Sequence, residues 1–231
     1  MRSIDLLAVW YLFIFGGFVP YLSIQSSRKV RAGAPIPPKK KIFLHTVIME
    51  LLFLGIALFA AAARHISVFN RGTLSPTALL TAAAFLAIAL GAMPLLWKYS
   101  SDERKKRTLL SRPEATSDLG GWLAVSLAAG VVEEIVYRGV MLALVLPMTQ
   151  NWYAAVGICV LCFALGHGNQ GMWRAAFVGA LATGFHALVA LTGSLFLAMT
   201  VHFTYDFIAG VIYIRLAKQF HSAPAASQQP A

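Results

Sequence analysis

The sequence predicts an all-α protein, a polytopic bundle of about seven (six to eight) transmembrane helices, on three observations. Of 231 residues, 58% are hydrophobic and only 12% charged, where an average soluble domain carries about 25% charged residues. The apolar residues gather into stretches near the ~20 residues that a helix needs to cross a bilayer. The basic residues gather into short blocks beside those stretches, as they do in loops held on the cytoplasmic side.

The first stretch runs from about Ile4 to Ile24. It follows Arg2 but is too long and lacks the small-residue cleavage site of a signal peptide, so it reads as a retained span. A basic block follows, Arg28, Lys29, Arg31, Lys39, Lys40 and Lys41. Ile42 to Ala63 and Thr77 to Trp97 form the next two spans, with Arg64 to Ser75 between them expected outside. The second basic block, Lys98, Arg104, Lys105, Lys106, Arg107 and Arg112, then lies two spans after the first, which returns the chain to the cytoplasmic side. Gly120 to Leu146 is long, and Gly139 is where a break or re-entrant piece would fall. Trp152 to Gly166 is short; Trp173 to Leu191 and Ser194 to Leu216 complete the set.

Residues 1–217 therefore form a single bundle, with the residues of functional interest in 120–216, followed by a disordered cytoplasmic tail over 218–231 that is poor in apolar residues. The N-terminus is expected outside. The formal charge of +10 is accounted for by the two basic blocks, so no nucleic acid is expected as a partner. Cys159 and Cys162, three apart in an apolar segment, suit packed side chains on a helix better than a disulfide. Trp10, Trp97, Trp122, Trp152 and Trp173 fall near span ends and suggest an interfacial belt.

Charged groups at mid-membrane cost about 2.5 to 3.5 kcal/mol each on insertion scales, so each needs a partner or a role. The fourth span carries VVEEIVYRGV. Glu134 and Arg138, four apart with the acid first, share a face and can pair. Glu133 is turned about 100° away and has no partner on its own helix. An unpaired buried carboxylate is what a general base near neutral pH requires. The fifth span ends in FALGHG, which puts Phe163 and His167 on one face, and the seventh carries HFTYDF, which does the same for His202 and Asp206. With these boundaries His167 and His202 differ in depth by roughly 10 Å at the helical rise of 1.5 Å per residue.

These residues resemble the family of CAAX proteases and bacteriocin-processing enzymes, also called Abi proteins, whose pattern is EExxxR, FxxxH and HxxxN or HxxxD on successive membrane helices. Here the pattern reads Glu133, Glu134 and Arg138, then Phe163 and His167, then His202 and Asp206. The resemblance implies an intramembrane endopeptidase, related to the type II CAAX prenyl endopeptidases. In it Glu133 and His167 activate a water, and His202 with Asp206 forms the oxyanion side. Glu134 joins this catalytic set, and Arg138 and Phe163 support it. An ionised Asp cannot donate to an oxyanion as Asn can, so Asp206 is expected to orient His202 by accepting its ring N–H. The implied partners are a membrane-associated peptide or protein substrate and the lipid bilayer.

A divalent metal such as zinc is the competing account, with Glu133, His167 and His202 as three ligands and an open position for water, although no HExxH is present. No cofactor is otherwise implied. Glu50, in the second span, could line a substrate cavity or pair with a basic side chain of a neighbouring helix, and the structural reading is favoured for it and for His186 in the sixth. The rival functions are a noncatalytic membrane partner or immunity protein, and a proton- or cation-coupled transporter; the sequence contains no internal repeat of the kind many transporters carry. The absence of organelle-targeting features points to a prokaryotic plasma (inner) membrane.

Overall fold

A computed structural model describes residues 5–167 and 172–222. The proposed start of the first span at Ile4 and most of the tail, 223–231, lie outside the described residues. Within them the chain is helical and contains no strand. Helix α1 spans Leu6–Arg31, α2 Lys39–Ala63, α3 Pro76–Lys98 and the short α4 Asp102–Leu110. Helix α5 is continuous from 119 to 149, α6 is Trp152–Gly166, α7 Met172–Thr192 and α8 Phe196–Ser222. Helices α1, α2, α3, α7 and α8 are long and apolar enough to cross a membrane; α6 is apolar but shorter.

The seven stretches read from hydropathy are thus α1, α2, α3, α5, α6, α7 and α8. Helix α4 was not among them, because its run DERKKRTLL has no apolar face long enough to notice. Helix α8 continues to Ser222, so residues 218–222, expected to open a disordered tail, are helical instead. No break occurs at Gly139. The chain there winds as a π-helical stretch, Glu134–Met141, inside the otherwise α-helical α5, a local widening often found where helices carry function. Tyr11 of α1 donates its hydroxyl to the Val136 carbonyl in this stretch at 3.2 Å.

In lipid, helices associate through close packing of small residues rather than by exclusion from water. The contact between α5 and α8 is built this way. A Cβ on Gly130 would stand 2.7 Å from the backbone nitrogen of Phe203, and one on Gly210 would overlap the Trp122 ring. Ala57, Ala60 and Ala61 give α2 a similar small face in the core. Cys159 and Cys162 are free and buried, as their spacing suggested.

Local signals set the ends. Ser75 accepts from the Ala78 N–H at the start of α3, and Asn151 from the Ala154 N–H at the start of α6. Gln150, in the left-handed conformation, closes α5. The loop after α2 is tied to the α7–α8 turn: Thr73 donates its N–H to Thr192, and Ser194 its hydroxyl to the Asn70 carbonyl.

Candidate active site

Three helices bring the motif residues together. Glu134 on α5 lies where its turn faces α8, and its Oε1 accepts a hydrogen bond from Nδ1 of His202 at 2.8 Å. Arg138, one turn later, places Nη1 3.3 Å from the same oxygen. Both members of this pair have fully buried side chains. Arg138 also donates from Nη2 to the Ala182 carbonyl of α7 at 3.2 Å, and its guanidinium lies over the rings of Phe163 and Phe185. A buried charge is tolerable only when so surrounded. The face shared by Glu134 and Arg138, read from their spacing, therefore serves a three-residue chain that ends on His202.

The other face of the His202 ring is covered by Phe185, stacked at 4.7 Å between centroids. Its second nitrogen, Nε2, points between two carboxylates, 3.6 Å from Glu133 Oε2 and 3.6 Å from Asp206 Oδ2. The ring N–H assigned in the sequence to Asp206 is thus taken at Nδ1 by Glu134, a partner 68 positions away that spacing along one helix could not reveal. Asp206 is positioned through its backbone, since Trp122 Nε1 donates to its carbonyl at 3.0 Å.

Glu133, His167, His202 and Asp206 all line one cavity of about 340 Å³. His167 caps the end of α6, where its Nδ1–H donates to the Phe163 carbonyl at 3.0 Å and leaves Nε2 for the cavity. Phe163 itself packs edge-on against Tyr137. Although the sequence set the two histidines roughly 10 Å apart in depth, both line this one cavity.

Four residues were misread or passed over in the sequence. Trp122 and Trp97, placed in an interfacial belt, are buried, and Trp122 lines the cavity. Glu50 of α2, read as structural, also lines it, with its Oε2 lacking any hydrogen-bond partner among the described residues. Phe185 carried no motif at all. His186 is buried with both ring nitrogens unpartnered among the described residues, beside rather than within the cavity.

A metal does not fit this arrangement. Among the described residues no three carboxylate, imidazole or thiolate groups are placed to share an ion.

The cavity, its two histidines and its paired glutamates all fall in one stretch of chain. Residues 115–208 match the family model described as type II CAAX prenyl endopeptidase Rce1-like. This segment is similar to the Rce1-like family. It holds α5, α6, α7 and the first half of α8, and with them every motif residue from Glu133 to Asp206. The resemblance read from the three motifs is to the same family. Helices α1 to α4, Glu50 among their residues, lie outside the Rce1-like segment. No curated protein and no solved structure matches the chain significantly. The Rce1-like match supports a membrane-embedded endopeptidase in general terms, with peptide substrates met in a lipid bilayer.

Proposed function

We propose that the protein is an intramembrane endopeptidase that hydrolyses a peptide bond with a water held between Glu133 and His167. The observation that carries this reading is the shared cavity, into which Glu133, His167, His202 and Asp206 all open within an Rce1-like segment.

Glu133 is the base. Its carboxylate is only partly exposed to the cavity and its nearest cationic neighbour, His202, stands at 3.6 Å, too far to occupy it with a hydrogen bond. His167, with Nδ1 fixed on Phe163, presents Nε2 to the water. The water oxygen attacks the scissile carbonyl carbon as its proton passes to Glu133, and the carbonyl π bond opens onto oxygen. In this reading His202 carries protons on both nitrogens: Nδ1–H is given to Glu134, and Nε2–H is left for the oxyanion. Collapse of the tetrahedral intermediate expels the amine, which takes the proton from Glu133. Asp206 flanks the oxyanion donor, and Glu134 with Arg138 holds that donor in place.

The substrate is a membrane-anchored or membrane-delivered peptide, and the enzyme sits in a prokaryotic inner membrane with its N-terminus outside and α8 ending in the cytoplasm. The two basic blocks support that orientation.

The test is cleavage of a quenched peptide library by purified protein in detergent, with Glu133→Gln as the comparison and a strong chelator added to each. Activity is expected in the wild type, with or without chelator, and is expected to fall by about 10²- to 10⁴-fold in the variant, the usual contribution of a general base. Full activity in Glu133→Gln would remove its role. Loss with chelator would replace the mechanism with a metal-assisted one.

A further inference from the structure

Apart from the cavity of the candidate site, a groove of about 540 Å³ lies where the ends of α1 and α2 meet α4. Its cationic lining comes from Lys41, Arg104 and Arg107, with His45 beside them. Ser26, Ser27 and Thr108 add hydroxyls, and Val30, Ile36, Ile42 and Leu110 make an apolar wall. These residues occupy the last turns of α1, the first turns of α2 and the helix that follows α3, which is headgroup depth for spans of this length.

The acids on this side are already engaged elsewhere. Asp102 pairs with Lys105, Glu103 with Arg107, and Glu114 with Lys39. Asp118 accepts the N–H groups of Glu114 and Ala115. Among the described residues no carboxylate pairs with Lys41 or Arg104. The groove therefore offers positive charge and hydroxyl donors next to apolar surface, at the level where phosphates of the bilayer lie.

The geometry points to a binding site for an anionic phospholipid, its phosphate held by Lys41 and Arg104 and its acyl chains against Val30, Ile36 and Leu110. Charge complementarity selects this occupant, because basic recesses between helices at the membrane surface bind acidic headgroups. A neutral peptide strand would leave the positive charge of this lining unanswered. Thr46 and Ser111 line both this groove and the catalytic cavity, so the bound lipid forms part of the wall that separates the cavity from the bilayer.

The test is native mass spectrometry of the full chain in neutral detergent, titrated with phosphatidylglycerol or phosphatidylcholine, which does not depend on peptidase activity. The wild type is expected to retain phosphatidylglycerol preferentially. Lys41→Gln/Arg104→Gln is expected to weaken that binding about twenty- to thirtyfold, at roughly 1 kcal/mol for each basic side chain and 1.4 kcal/mol per tenfold. Lys41→Arg/Arg104→Lys should restore it and shows that the fold is intact. Lys29→Gln/Lys106→Gln, which removes the same charge outside the groove, should leave binding within about twofold of wild type. Equal weakening in both Gln pairs, or no preference in the wild type, would overturn the site. Displacement of the lipid by an equal concentration of inorganic phosphate would overturn the lipid as its occupant.

Discussion

Glu134 and His202, 68 residues apart, are joined by a 2.8 Å hydrogen bond with no water-accessible surface on the carboxylate. One oxygen of Glu134 thus faces both His202 Nδ1 and Arg138 Nη1, and ties the orientation of a cavity-lining ring to a buried ion pair. The second glutamate of the EE pair fixes the histidine ring, while the first opens to the cavity.

Glu134→Gln should therefore damage both stability and turnover. Breaking a buried pair by neutralising one partner costs about 3–5 kcal/mol, and a histidine that loses its orienting carboxylate has lost about 10⁴-fold in kcat in a serine protease. Thermal melting and single-turnover cleavage should both fall. Unchanged melting would show that Arg138 does not rely on Glu134.

Gly130→Ala tests the seam between α5 and α8. Its added methyl would stand 2.7 Å from the Phe203 backbone, which has no side chain to swing aside. Overpacking of this kind costs about 1–3 kcal/mol. Because His202 is the residue before Phe203, peptidase activity should drop even where the variant still folds. Wild-type melting and activity together would mean that the two helices do not approach this closely.

Glu50→Leu should melt higher than wild type by about 1–3 kcal/mol, because it removes a buried oxygen that no donor satisfies. It should also cleave peptide more slowly, because Glu50 bounds the cavity that holds Glu133. A stabilised variant with undiminished turnover would return Glu50 to a purely structural role.

Glu114 gives the surface a pH dependence. Burial alone would raise its pKa, but hydrogen bonds from Lys39 and His221 and their charges hold it below the ordinary 4.5. A folded-state pKa below the unfolded one stabilises the fold above the unfolded value and loses that stabilisation as pH falls through the folded value. Melting followed from pH 6 down through that acidic range should fall less steeply in Glu114→Gln than in the wild type, and identical slopes would assign no linkage to this contact.

The order of the apolar helices was legible in the sequence because a bilayer imposes a length and a composition on each helix separately, and five of the seven stretches, α1, α2, α3, α7 and α8, are long and apolar enough to cross one. The π-helical stretch after Glu133 was not, since it depends on what α5 packs against. The ion pair of Glu134 and Arg138 could be read because both ends lie on one helix. The bond from Glu134 to His202 could not, because two helices must first be set at one depth. Trp122 shows the limit of a rule of position: a tryptophan near a span end is usually interfacial, yet this one turns inward to the Asp206 carbonyl. Glu50 was visible as a buried acid, but only the rotation of α2 decides whether such a group faces lipid, a neighbour or a cavity.

The shortness of α6 has an effect on the lipid around it. A helix about 8 Å shorter than the hydrocarbon around it creates a hydrophobic mismatch, which a bilayer relieves by thinning locally. Exposed Leu161 and Leu165 on its last turns place that thinning at the outer surface of α6, beside the turn that carries His167. Placed in a bilayer, the protein would draw the lipid surface, and water with it, toward the turn that carries His167, so the path from bulk water to Glu133 depends on the lipid as well as on the protein.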